Sequence, residues 1–114
     1  MKLSLPALHI LLALAEGARH GYAIKQDVEA RTGGAVRLGP GTLYEAIQRL
    51  EEAGHIEATE SRAERDPSNG RIAQRRYYRL TDAGWRALQA EIRDLGRLVD
   101  YARSKPGLDA LGYE

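Results

Sequence analysis

The sequence predicts a mainly α-helical fold with a small β hairpin, a winged helix-turn-helix that continues into a long C-terminal helix. A short helix is expected from Pro40, where proline is pre-set for a first turn, to the stop at Gly54, and a strand follows at once. About twenty residues later a second strand, residues 75–80, carries three arginines and two tyrosines. A helix that leads into a hairpin with a basic return strand is the layout that places one helix in a DNA groove.

The remaining short elements follow from apolar spacing and from glycine stops. A first helix is expected from Leu5 to Glu16, apolar nearly all round and therefore central to the core, and a second from Gly21 to Arg31. The hairpin strands are expected from Ile56 and over residues 74–80, joined by a turn at residues 66–70 that forms the tip of the wing.

The last helix carries a heptad stripe. Thr81 is a plausible N-cap, and apolar residues then recur at spacings of three and four. This pattern favours a dimerisation helix over packing on the body of the same chain. The stripe consists of Trp85, Leu88, Ile92, Leu95, Val99 and Ala102. The expected organisation is a DNA-binding unit over residues 1–80, a dimerisation helix over 81–104 and a flexible tail over 105–114.

Bulk properties set the protein class. The chain has 114 residues, which suits one domain, and it lacks cysteine, which fits a reducing cytoplasm. Its apolar N-terminal run is interrupted by Pro6 and His9, so we expect a buried first helix and not a signal peptide. Net charge is only +1, but residues 71–79 hold four arginines and no acid. Such a ridge of positive charge suits a nucleic-acid partner. The alternative is an arginine-rich strand that contacts only solvent.

Candidate DNA-binding residues lie on three segments. The start of the third helix offers free amides and hydroxyls for phosphates, and its next turn offers side chains that read base edges. The second helix offers backbone contacts, and the wing offers arginines. The set is Tyr22, Lys25, Gln26, Pro40, Gly41, Thr42, Tyr44, Gln48, Arg49, Arg62, Arg65, Arg71, Arg75 and Arg76.

Several of these residues have structural alternatives. Tyr22 and Tyr44 could be packing residues, and Arg49 could pair with Glu45 or Glu52 along its own helix. Arg75 and Arg79 could brace the hairpin against Glu57. A winged-helix module for protein–protein assembly, without specific DNA binding, is the alternative function. No enzyme, cofactor or metal site is expected, because cysteines, phosphate loops and clustered His/Asp/Glu sets are missing from the sequence.

The assembled motifs resemble the PadR family of transcriptional regulators. They are His20-Gly21-Tyr22, residues 39–44 (Gly-Pro-Gly-Thr-Leu-Tyr), residues 49–54 (Arg-Leu-Glu-Glu-Ala-Gly) and residues 75–84, in order across most of the chain. The single helix after the wing is similar to the short subgroup.

This resemblance implies a cytoplasmic homodimer that binds an inverted repeat in a promoter, usually as a repressor released by a small effector. Some short members bind flat apolar ligands between the two dimerisation helices. In this chain Trp85 stands at the start of that helix, and its middle is aliphatic. The residues implied for dimerisation and a possible pocket for a small apolar or aromatic effector are Leu8, Trp85, Leu88, Ile92, Leu95, Val99 and Ala102.

Overall fold

A computed structural model describes residues 3–110, which form a helical body with a small antiparallel sheet. The element order confirms the predicted fold class, a winged helix followed by a long helix. The elements are α1 (Leu5–Leu14), β1 (Arg19–His20), α2 (Gly21–Arg31), α3 (Pro40–Glu52), β2 (Ile56–Arg65), β3 (Ile72–Leu80), α4 (Asp82–Arg103) and α5 (Pro106–Ala110).

Side chains cap three of the four long helices. The Ser4 hydroxyl accepts from the Ala7 amide at 3.2 Å, and the His20 Nδ1 accepts from the Ala23 amide at 3.2 Å. The Thr81 hydroxyl accepts from the Gly84 amide at 3.0 Å, as its sequence position predicted. Helix α3 differs, because its N-cap Gly39 has no side chain to bond the first-turn amides.

The sheet has the strand order β1-β3-β2, and both pairings are antiparallel. In the hairpin Ile56 pairs with Leu80 and Arg65 with Ile72, with a register shift between Ala58 and Ser61. The hairpin is longer than the sequence indicated, since β3 begins at Ile72 and not at residue 74. Strand β1 was not predicted, because two residues are too short to show an alternating pattern.

The core lies where α1 crosses α2, α3 and the base of the sheet. Helix α1 contributes Ile10, Leu11 and Leu14, all essentially buried, as its apolar sequence predicted. The other buried apolar residues are Ala7, Ala13, Ile24, Val28, Leu38, Leu43, Ile47, Leu50, Ile56, Tyr78, Leu80 and Leu88. This packing fixes the starts of α2 and α3 relative to β3.

Helix α4 leaves the core after its first few turns. Leu88 and Glu91 are buried, and Glu91 accepts the backbone amide of Leu3 at 2.6 Å. Every residue from position 92 to position 101 is exposed. The described residues therefore extend over 56 × 30 × 23 Å.

A short helix, α5, follows directly after α4. The sequence predicted a flexible tail from residue 105, and in the structure Pro106 begins a short helical segment over residues 106–110. The rest of the predicted tail, residues 111–114, lies outside the described residues. Between residues 3 and 110, no helix combines the length and the apolar character needed to cross a bilayer.

Candidate nucleic-acid interface

The start of α3 is open to solvent. Pro40, Gly41 and Thr42 are exposed, and Tyr44 is 52% exposed. Because Gly39 supplies no side-chain cap, the first-turn amides keep their hydrogen-bonding capacity. Free amides at a helix start carry partial positive charge and suit an anion such as a phosphate.

Two neighbouring hollows join α3 to α2 and to the wing. One, of about 220 Å³, is lined by Tyr22, Lys25, Pro40, Leu43, Tyr44 and Arg75. The other, of about 270 Å³, is lined by His20, Gly21, Tyr44, Asp66, Ala73, Gln74, Arg75, Arg76 and Tyr78. Tyr44 and Arg75 belong to both. The structure thus brings predicted residues from α2, α3 and β3 onto one surface.

The Tyr44 ring packs closely against the first residue of α2. A Cβ atom added to Gly21 would lie 2.7 Å from the Tyr44 hydroxyl oxygen and 3.0 Å from two of its ring carbons. Gly21 therefore lets the Tyr44 ring approach the α2 backbone while its outer part stays exposed. Position 21 was not among the predicted site residues, although a glycine before a tyrosine at a helix start was the available signal.

The wing projects as a hairpin with an ordered tip. Asp66 closes the turn, because its carboxylate accepts from the Ser68 amide at 2.8 Å and from the Ser68 hydroxyl at 2.6 Å. These hydrogen bonds lower the pKa of Asp66. Across the tip, the Arg65 guanidinium donates to the Gly70 carbonyl oxygen at 2.6 Å. Arg71 is exposed beside it.

The other arginines of the wing differ in their ion pairing and in their exposure to solvent. The Arg62 guanidinium pairs with Glu60 and lies 4.5 Å above the Tyr77 ring. The Arg79 guanidinium bonds Glu57 at 3.1 Å, which is the bracing role considered for it. Arg76 has a 61% exposed side chain, whereas the Arg75 side chain is only 15% exposed. Adjacent arginines on β3 therefore point to opposite faces of the sheet.

Several predicted residues of α2 and α3 do not line the two hollows. The Arg49 guanidinium pairs with Glu45 at 3.0 Å, the intrahelical alternative, although its side chain is 77% exposed. Arg49 and Thr42 line a separate cavity of about 320 Å³ between α3 and the start of α1. Gln26 lines a shallow hollow against the α2–α3 loop. Gln48 is exposed on α3. Lys25, although in the first hollow, pairs with Glu29 at 3.0 Å.

A second unpredicted contact surrounds His20. The His20 Nε2 lies 3.9 Å from the Glu64 carboxylate, and its ring meets the Tyr77 ring edge to face with centroids 5.3 Å apart. The Tyr77 hydroxyl donates to the same carboxylate, which raises the pKa of Tyr77. Burial lowers the pKa of His20, and the Arg75 charge lowers it further, against a smaller opposing effect of Glu64. These contacts tie the wing to the start of α2.

Within residues 3–110 no group of three or more His, Asp or Glu side chains is arranged to hold a metal ion. The charged side chains of the surface are instead engaged in ion pairs at the margins of the hollows, such as Arg76 with Glu51 at 4.0 Å. Arginine, tyrosine and free amide donors dominate the surface around Tyr44. Donors of this kind bind anionic oxygen atoms.

Comparison with known proteins identifies a matching family model and several relatives of this chain. Residues 10–90 match the family model of the transcriptional regulator PadR-like family. Transcriptional regulator Rv3488 of Mycobacterium tuberculosis is 38% identical over 92 residues, which is 81% of this chain and 77% of the relative. A 37.1 kDa protein in transposon TN4556 of Streptomyces fradiae is 37% identical over 78% of this chain, and protein X of Lysinibacillus sphaericus is 39% identical over 66%. This chain spans 22% and 63% of the lengths of those two proteins.

Solved structures share the fold. A PadR family transcription regulator from Clostridium difficile superposes with a TM-score of 0.70 at 22% identity, covering 89% of this chain and 97% of the other. Bacillus subtilis PadR, solved in complex with operator DNA, superposes with a TM-score of 0.66 at 21% identity over 78% of this chain and 47% of its own. The match over residues 10–90 and the identity to Rv3488 establish that this chain belongs to the PadR-like family of transcriptional regulators.

Proposed function

We propose that the protein is a sequence-specific DNA-binding transcriptional regulator that acts as a homodimeric repressor at an inverted repeat and is released by a small effector. One observation carries the proposal: the uncapped start of α3 lies on the same surface as the start of α2 and the arginines of the wing. Bacillus subtilis PadR, which has the same fold, was solved in complex with operator DNA, and this supports the proposal.

Helix α3 is proposed to enter the major groove. Its first-turn amides and the Thr42 hydroxyl would bind a phosphate, and the exposed Tyr44 hydroxyl would reach another. Gln48 and Arg49 lie one turn further along and are the residue types that read adenine and guanine edges. The Arg49–Glu45 pair is solvent-exposed, so opening it costs little.

Helix α2 and the wing are proposed to position the protein on the DNA backbone. Tyr22, Lys25 and Gln26 would contact phosphates beside the groove, and Arg62, Arg65, Arg71 and Arg76 would follow the backbone or enter the minor groove. With a net charge of only +1, the protein depends on this local ridge for its electrostatic attraction to DNA. Binding should therefore weaken steeply as salt is added.

The exposed half of α4 is proposed to pair with a second copy. Ile92, Leu95 and Val99 are 45%, 38% and 37% exposed on one stripe of the helix. A second copy of the same stripe is chemically complementary, and α4 continues directly from the wing that would contact DNA. Two wings related by a two-fold axis would meet half-sites about 10 base pairs or a multiple apart, which is the geometry of an inverted repeat.

The same region is where an effector is proposed to bind. An open hollow of about 400 Å³ is lined by Leu12, Trp85, Leu88, Gln89, Ile92 and Arg93. Leu8 and Leu12 of α1 both pack partly buried against the core, and Leu12 also lines this hollow. A small apolar or aromatic molecule with an acceptor for Gln89 or Arg93 would fit these walls.

The test is fluorescence anisotropy of the purified protein on labelled DNA from upstream of its own gene, with scrambled DNA as competitor and a salt titration. We expect saturation at two chains per site and a linear fall of log K with log salt concentration. Equal weak binding to both DNAs at all salt concentrations would contradict sequence-specific recognition. No binding at low salt would contradict DNA binding altogether and favour a protein–protein assembly module.

A further inference from the structure

We propose that Arg75 is a positioning residue, which holds the wing against α2, and that its neighbour Arg76 supplies the charge that meets DNA. This inference rests on the proposed DNA-binding function for its effect on affinity. Its structural part concerns the free protein and is tested without DNA.

Burial separates the two arginines. The Arg75 side chain is 15% exposed, and its Nε is buried without a hydrogen-bond partner among the described residues. The Arg76 side chain is 61% exposed, and a carboxylate oxygen of Glu51 lies 4.0 Å away from its guanidinium. A phosphate that approached Arg75 would first have to displace the groups that cover it, whereas Arg76 is accessible without any rearrangement.

The contacts of Arg75 span three elements. Its guanidinium Nη2 lies 3.6 Å from a carboxylate oxygen of Asp66 at the wing tip, and its guanidinium carbon lies 5.5 Å from the Tyr22 ring centroid on α2. On β3 it is paired in register with Arg62 of β2. Both hollows of the surface include Arg75. One side chain thereby connects the tip of the hairpin to the first turn of α2.

This linkage has a mechanical effect on the tip. Asp66 organises the tip, because its backbone oxygen accepts from the Gly70 amide at 2.8 Å and its backbone amide donates to the Arg71 oxygen at 2.6 Å. When Arg75 pairs with Asp66, the tip is held in place before DNA arrives. A wing that is already ordered loses less conformational entropy on binding.

The first experiment measures amide hydrogen exchange in the free protein. We expect Arg75→Ala to speed exchange of the Gly70 and Asp66 amides by roughly tenfold, because the tip then opens more often. Arg76→Ala is the matched control on the adjacent residue and should leave these amides unchanged. Asp66→Asn, which removes the charge but keeps a side chain able to accept from Ser68, should act as Arg75→Ala does. Unchanged exchange in both Arg75→Ala and Asp66→Asn would overturn the proposal.

The second experiment measures DNA affinity over a salt series for the same variants. Arg76→Ala should reduce the slope of log K against log salt by about 1 per chain, because one phosphate contact is lost. Arg75→Ala should weaken binding by roughly tenfold with the slope unchanged, because the wing must then be ordered during binding. A slope reduced by Arg75→Ala as much as by Arg76→Ala would show that Arg75 neutralises a phosphate and would overturn the proposal.

Asp66→Asn distinguishes the two roles most sharply. If Asp66 acted only as a negative charge near the DNA, its removal would strengthen binding. If it holds Arg75 and the wing, its removal weakens binding, and this is the expected result. Failure of the wild-type protein to bind any DNA would refute the proposed function, while the exchange experiment would still decide whether Arg75 orders the wing.

Discussion

Among the described glycines, Gly84 lies closest to the backbone of another segment of the chain. A Cβ atom at this position would lie 1.9 Å from the carbonyl oxygen of His55 and 2.9 Å from its carbonyl carbon. The same carbonyl accepts the Thr81 amide at 3.1 Å, and the Thr81 hydroxyl donates to the Gly54 oxygen at 2.6 Å. These contacts lock the first turn of α4 to the end of α3, so the neighbouring backbone has little room to yield.

We therefore expect Gly84→Ala to lower the free energy of unfolding by about 2–3 kcal/mol, the upper part of the range of about 1–3 kcal/mol that is typical of overpacking. Gly96→Ala on the same helix is the control. Its added Cβ meets no atom within 4 Å, and alanine should favour the helix by about 0.5–1 kcal/mol. Urea unfolding followed by circular dichroism measures both variants. Equal midpoints for Gly84→Ala and the wild type would contradict the close approach.

At the scale of the elements, His20 links the start of α2 to the wing. Its Nδ1 can accept from the Ala23 amide only when that nitrogen carries no proton. Burial and the charge of Arg75 lower the pKa of His20 below its ordinary value of 6.5. The folded protein therefore resists protonation of the very nitrogen that caps α2.

The sign of the pH effect follows from this lowered pKa. Between 6.5 and the lower folded-state value, the unfolded chain binds more protons, so the free energy of unfolding decreases as pH falls below about 6.5. His9, whose pKa burial and Arg31 also lower, adds to the effect in the same direction. Above about pH 7.5 both histidines are essentially neutral in both states and contribute little pH dependence.

His20→Asn should reduce this pH dependence, because asparagine caps a helix without titrating in this range. Urea unfolding at pH 8, 6.5 and 5.5 gives the comparison, and His9→Gln measures the share of the other histidine. If the loss of stability between pH 6.5 and 5.5 is as large in His20→Asn as in the wild type, the cap is not its source.

Elements with local signals could be predicted from the sequence, and elements made by distant partners could not. The bounds of α2 and the start of α3 at Pro40 match the prediction, because glycine, proline and apolar spacing act within one turn. Strand β1 exists only through its pairing with β3, in which Arg19 lies opposite Tyr78, 59 positions along the chain (78 − 19). Helix α5 was not predicted, because five residues are too few to show helical apolar spacing.

The candidate site shows the same division. The sequence indicated which segments would carry it, and both Arg75 and Arg76 were predicted as DNA contacts, although adjacent residues of a strand face opposite sides. Which of the two sides of β3 is covered by other residues depends on Tyr22 of α2 and on Asp66 of the wing tip. Gly21 was likewise missed as a site residue, because its role is to leave room for Tyr44, which lies 23 positions away (44 − 21).

At the scale of the whole molecule, α4 makes the chain elongated. Its radius of gyration is 16.8 Å, against about 13 Å expected for a compact chain of this length. The excess comes from the second half of α4, where ten consecutive residues from 92 to 101 are exposed. Apolar side chains in such a row mark an interaction surface.

Ile92→Glu should therefore convert the proposed dimer to a monomer, because a carboxylate would lose its hydration in the paired stripe. Ala90→Glu is the control, since it adds the same charge at an exposed position on the opposite side of the helix. Sedimentation velocity should show a monomer for the first variant and a dimer for the second. A monomeric wild-type protein at micromolar concentration would contradict the pairing.

The exposed half of α4 also has a consequence for gene control. On the proposed pairing, wherever most free chains are single, the amount of paired protein varies with the square of the amount of chain. Halving expression would then cut promoter occupancy about fourfold and not twofold. A helix that cannot cover its own apolar stripe would in this way give the regulated promoter a threshold, which a cell could cross by a modest change in synthesis or turnover.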